Sequence, residues 1–124
     1  MRSLQAKSLV LLVVATILAA TIPSIAHSYA TIVKYRITGH PGYAQFYWES
    51  GSEDGLVRFS LYRKTKTSKW VLVKNIPPKS GGVVGGQIYR YKDHIAPGHY
   101  KYKIVIVMTG GVRDSTVPRW VRVK

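Results

Sequence analysis

The clearest run in the chain is Tyr100 to Met108, where Tyr100, Tyr102, Ile104 and Ile106 take turns with Lys101, Lys103, Val105 and Val107. Successive side chains of a strand point to opposite faces, so a period of two marks a half-buried β-strand and cannot lay one apolar stripe along a helix. Six further runs share this character: Ala30–Thr38, Tyr43–Glu49, Leu56–Lys64, Lys69–Lys74, Gln87–Lys92 and Val117–Val123. In the second, Ala44, Phe46 and Trp48 share a face; in the third, Val57, Phe59 and Leu61 do. In Gln87–Lys92 either Tyr89 and Tyr91 or Ile88 and Arg90 could face inward. Between the runs stand turn residues: Gly39-His40-Pro41-Gly42, the SGSEDG segment from Ser50 to Gly55, the polar Thr65–Ser68, and Thr109-Gly110-Gly111. Asn75–Gly86 reads as a loop, because Pro77, Pro78 and its glycines cannot sustain a ladder. Asp93–His99 reads as a connection, and Arg113–Thr116 as a polar stretch before the last run. Seven short strands separated by turns predict an all-β fold, a seven-stranded antiparallel β-sandwich.

The first 26 residues do not share this pattern. Arg2 and Lys7 are followed by an apolar run from Leu9 to Ile22, then Pro23 and the small-x-small Ser24-Ile25-Ala26. That is the layout of a secretory signal peptide. Cleavage fits after Ala26 and also after Ala30, leaving a domain over 27–124. The alternative is a retained anchor helix, since Ser8–Ala26 carries no charge and approaches the ~20 residues that span a bilayer. A pilin-type leader cut near Lys7 is disfavoured, as no acidic residue follows it. Each reading places the domain outside the membrane, secreted or at the cell surface.

The chain has no cysteine, so the sandwich is held by packing alone. Cys, Met, Asn and Gln are all scarce, which marks heat-adapted proteins and suggests a heat-loving prokaryote such as an archaeon; the scarcity of Glu runs against that pattern. The formal charge is +14, and +12 remains without Arg2 and Lys7. A field of that size draws polyanions: anionic membrane surfaces, acidic polysaccharide or acidic envelope proteins. Export puts nucleic acid last.

Several segments together resemble a fibronectin type III or immunoglobulin-like domain over about Ile32 to Val123. Trp48 is similar to the core tryptophan of that family's second strand, and Phe59-Ser60-Leu61-Tyr62-Arg63 to its third strand. Tyr91-Lys92-Asp93 followed by Ile95-Ala96-Pro97-Gly98-His99-Tyr100 resembles the approach to the sixth strand, where a Pro-Gly turn precedes the tyrosine of a tyrosine corner. The resemblance implies a core containing Trp48, Phe59, Tyr100 and Tyr102, and a binding or spacing role at a cell surface. It implies little about activity, since one fold hosts many functions.

Catalytic and metal chemistry find little support. The carboxylates are Glu49, Glu53, Asp54, Asp93 and Asp114; Glu53 and Asp54 are neighbours in a turn, where solvation accounts for both. His40, His94 and His99 lack the close ligand spacing of zinc sites. No Gly-x-Ser-x-Gly occurs, and Ser80–Gly86 lacks the Gly-Lys-Ser/Thr of a phosphate loop. The expectation is a non-enzyme without catalytic residues, cofactor or metal.

The basic residues say more. In the resembled family the third, sixth and seventh strands are neighbours in one sheet. Their outward positions would gather Arg58, Tyr62, Lys101, Lys103, Trp120 and Arg122 on one face, with the RKTKTSK turn from Arg63 to Lys69 at one end. Cations beside aromatics suit carbohydrate, lipid head group or protein surfaces; the plainer account is a solvated face with rings resting on lysine stems. The expected function is a cell-envelope binding or structural module. The rival is a filament or coat subunit that assembles by adding the segment from about Ser28 to Lys34 to a neighbour's sheet edge. A small hydrolase or inhibitor has no specific support.

Overall fold

The computed structural model describes residues 30–79 and 86–124. The expected leader, its cleavage after Ala26 and the glycine-rich stretch at 80–85 lie outside the described residues. Those described form an antiparallel all-β fold of two sheets. The strands are β1 (Ile32–His40), β2 (Tyr43–Ser50), β3 (Leu56–Lys64), β4 (Val71–Ile76), β5 (Ile88–His94), β6 (Gly98–Met108), β7 (Arg113–Ser115) and β8 (Arg119–Val123). One sheet has the order β1-β2-β5; the other runs β4-β3-β6, with β6 pairing both β7 and β8.

In place of the expected seventh strand Val117–Val123 and the polar stretch before it, the chain forms two short strands. The stretch read as polar, Arg113–Ser115, pairs with Val105–Val107 of β6, and Arg119–Val123 pairs with Gly98–Tyr102. Pro118 stands between them, and a residue without an N–H cannot continue the ladder. β5 also runs on to His94, which pairs with Tyr43, so Asp93 lies in a strand and not in a connection.

The two sheets meet through aromatic rings. Trp48 and Phe46 of β2, Tyr89 of β5, Phe59 of β3 and Tyr102 of β6 are all buried. The Trp48 and Phe59 rings meet edge to face at 5.4 Å, and Phe46 and Tyr102 do so at 5.1 Å. Trp48 also stacks on Tyr89 at 5.1 Å, which settles β5 with Tyr89 and Tyr91 inward and Ile88, Arg90 and Lys92 outward. Burial of rings of this size is the largest apolar contribution to the fold.

Two sequence expectations fail here. Val57 does not face the core: it is 42% exposed. The β3–β6 pairing shifts between Leu56 and Arg58, and this bulge turns Leu56 inward in its place. Glu53 is not solvated in its turn. It is fully buried and accepts hydrogen bonds from the Ser50 hydroxyl at 2.7 Å and from the Tyr89 hydroxyl.

Three local devices lock the sheets. Asp93 of β5 accepts from Arg63 of β3 at 2.7 and 2.8 Å and from the Tyr102 hydroxyl at 2.8 Å, so one carboxylate ties opposite sheets. The Tyr100 hydroxyl donates to the Ala96 carbonyl at 2.8 Å, while its half-buried ring packs against the core. At Gly39 a Cβ would lie 1.7 Å from the Arg122 carbonyl oxygen, so only glycine lets β1 approach β8 this closely.

Candidate functional site

Pairing in the larger sheet places all six expected surface residues on its outer side. With Phe59, Leu61, Tyr102, Ile104, Val121 and Val123 buried, the alternate positions point out. Tyr62 stands opposite Lys103, and Lys101 stands between Lys64 of β3 and Trp120 of β8. Arg58 lies opposite Val107 at one end of the face, and Arg122 opposite His99 at the other.

These neighbours form cation–ring contacts. Lys101 Nζ lies 5.6 Å from the centre of the Trp120 ring, and Lys103 Nζ 5.7 Å from that of Tyr62. Lys103 comes closer still, 4.4 Å, to Trp70, a residue missed by the sequence reading; Lys64 approaches the same ring at 5.7 Å. His99 adds a ring 5.0 Å from Trp120. Parity along β3 would have pointed to Lys64, two residues beyond Tyr62, whereas Trp70, expected inside the run Lys69–Lys74, lies just ahead of β4, which spans Val71–Ile76, so parity does not place it. The sole acidic residue on the five strands is Asp114, beside inward-facing Ile106. A cation held over a ring gains about 0.5–1 kcal/mol when exposed and loses little freedom on meeting an anion.

The RKTKTSK turn contributes less than its composition suggests. Arg63 is committed to Asp93 and Lys64 to Trp70, leaving Lys66 and Lys69 as its exposed cations.

The histidines separate. His40 and His94 flank Tyr43 on the smaller sheet, with ring centres at 4.8 and 5.7 Å, while His99 belongs to the larger one. Among the described residues no group of three or more His, Cys, Asp or Glu is placed to hold a metal. A groove of about 290 Å³ opens between β1 and β7, lined by Thr31, Ile32, Tyr35, Ile106 and Asp114 through Val117. The Tyr35 hydroxyl crosses it to the Val117 carbonyl.

No family model and no curated protein matches the chain. Among solved structures it is similar in fold to part of a family 76 glycoside hydrolase from a bovine Bacteroides thetaiotaomicron strain, with a TM-score of 0.55 and 8% identity. The likeness covers 74% of this chain but only 20% of the enzyme's, so it concerns a fifth of that protein and bears on fold alone.

Proposed function

We propose that the chain is an exported, non-enzymatic binding or structural module of the cell envelope. Its basic face engages a polyanionic or acidic protein partner, with acidic polysaccharide foremost. The observation that carries this reading is the ladder Tyr62–Lys103–Trp70 and Lys101–Trp120, flanked by Arg58 and Arg122, on a sheet side without an acidic residue. The fibronectin type III-like reading is supported by strand order, by buried Trp48 and by the Tyr100–Ala96 hydrogen bond. The non-enzymatic reading draws on three of the five carboxylates. Glu53 and Asp93 are buried in hydrogen bonds, and Glu49 accepts from Tyr47 and faces Lys34. The leader over 1–26 belongs to the same proposal.

Retention on immobilised polygalacturonate at several salt concentrations tests it. Lys101→Glu with Lys103→Glu should weaken binding at least ~tenfold, about 1.4 kcal/mol. Lys66→Glu with Lys69→Glu, the same charge change in the turn, should have a much smaller effect. Binding should fade as salt shortens the screening length to about 8 Å and below. Equal losses at both places would make overall charge, not this face, the cause of attraction.

The alternative of an assembling subunit takes its support from the groove beside β1 and from exposed Val33 and Val117 at that edge. Ile32 and Lys34 of the expected donor segment are already paired with Ser50 and Glu49, so addition would have to use the outer edge of β1. Sedimentation separates the readings, since only a filament subunit forms long polymers.

A further inference from the structure

The outer face of the smaller sheet carries its own ordered array of cations and rings. β1, β2 and β5 align Arg36, Tyr47 and Arg90 in one cross-strand row, Thr38, Gln45 and Lys92 in the next, and His40, Tyr43 and His94 in the one beyond. Both guanidiniums of the first row cover the same ring, Arg36 at 4.9 Å and Arg90 at 5.2 Å from the Tyr47 centre. Lys92 Nζ lies 4.9 Å from the centre of Tyr43. Rows on one face repeat every two residues, about 7 Å along the strands. The acidic residue on this face is Glu49. It sits in the row before the track, beside Lys34, and its carboxylate accepts from the Tyr47 hydroxyl at 2.7 Å, so its negative charge is confined to that end of the track.

We propose that this face is a second polyanion site, so that the protein holds two acidic polysaccharide chains at once, one on each side, and bridges them. The proposal rests on the reading that the larger sheet's face binds polyanions. Two sheets packed about 10 Å apart turn their outer faces in opposite directions, so one chain lying on the first face leaves the second open. Arg36 and Arg90 offer planar forks that donate paired hydrogen bonds to carboxylate or sulfate groups. Resting on one tyrosine, they lose less side-chain freedom on binding than unsupported arginines would. The central rows present Arg, Tyr, Thr, Gln, Lys and His and no aliphatic side chain. A bilayer site gains from apolar groups that enter the lipid, whereas a flat, polar, cationic track fits a linear acidic polysaccharide.

The test uses the full chain, soluble polygalacturonate, and two readouts: column retention for binding and light scattering for bridging. The wild type should be retained and should raise scattering at substoichiometric protein. Arg36→Gln with Arg90→Gln should remain bound through the opposite face but lose most of the scattering, since a protein left with one site cannot link two chains. Lys101→Gln with Lys103→Gln should show the same loss, and Lys66→Gln with Lys69→Gln should keep both properties. A thermal melt of each variant confirms folding; Arg36 and Arg90 are exposed and their removal should leave it near the wild type. Lys92→Gln supplies a second probe of the face and should lower scattering in the same direction. Undiminished scattering by the Arg36/Arg90 variant would overturn the second site, because bridging would then come from one face or from self-association. Wild-type retention without scattering would overturn bridging alone. No retention at low salt would remove the first face as well. Equal response to phosphatidylglycerol vesicles would overturn the choice of polysaccharide over membrane.

Discussion

Asp93→Ala should be among the most damaging single substitutions in this protein. Asp93 is 6% exposed, and its carboxylate receives three hydrogen bonds at 2.7–2.8 Å from two side chains of the opposite sheet. Its removal strands the Arg63 guanidinium, whose side chain is 24% exposed, and leaves the buried Tyr102 hydroxyl without its acceptor. Breaking one side of a buried pair costs about 3–5 kcal/mol, because the other charge stays behind unpaired. Tyr102→Phe removes a single hydrogen bond to a charged acceptor, about 1.5–3 kcal/mol. The double variant should then cost less than the two single losses together, since the tyrosine has nothing left to lose once Asp93 is gone. Urea unfolding of the four proteins gives these quantities from the midpoints at constant slope. A loss below ~1 kcal/mol for Asp93→Ala, or strict additivity with Tyr102→Phe, would refute the inter-sheet tie.

Trp48→Ala should cost about 3–5 kcal/mol in the same assay, the range for a large buried aromatic. Tyr100→Phe should cost about 1 kcal/mol, and a neutral result would remove the structural role given to its bond with Ala96. Burial, reinforced by the hydrogen bond to Glu53, pushes the Tyr89 phenol up to about 12 from 10. A raised folded value keeps the proton on in the native state, so this stabilisation is complete below pH 10 and is lost as pH rises towards 12. Absorbance titration should accordingly find a tyrosine that ionises late, and Tyr89→Phe should flatten the fall in stability over that window.

The strands of the larger sheet were legible because Tyr100 and Tyr102 alternate with Lys101 and Lys103 ahead of the continuous apolar run Ile104–Met108, and Val121 and Val123 repeat at the same period. A bulge breaks that logic silently. Leu56 and Val57 are equally apolar, and which of them enters the core depends on where β3 slips against β6. The burial of Glu53 was illegible for another reason: its partner Tyr89 is 36 residues away, and a turn rich in Ser, Gly and Asp carries no trace of that contact. The second basic face was hidden by the open register of β5. Tyr89 and Tyr91 alternate with Ile88, Arg90 and Lys92 there, so either parity looked acceptable until the Trp48–Tyr89 stack fixed it and turned Arg90 and Lys92 outward.

The three indole N–H signals of the protein offer the most direct test of the basic face. Trp120 is 42% exposed beside Lys101, Trp70 lies under Lys103, and Trp48 is fully buried between the sheets. Titration with polygalacturonate, followed by ¹H–¹⁵N spectroscopy, should move the Trp120 and Trp70 indoles in saturable fashion and leave Trp48 in place. Salt should reverse the shifts. Binding that leaves the Trp120 and Trp70 signals unmoved, with perturbations confined to the turn around Lys66 and Lys69, would contradict the account.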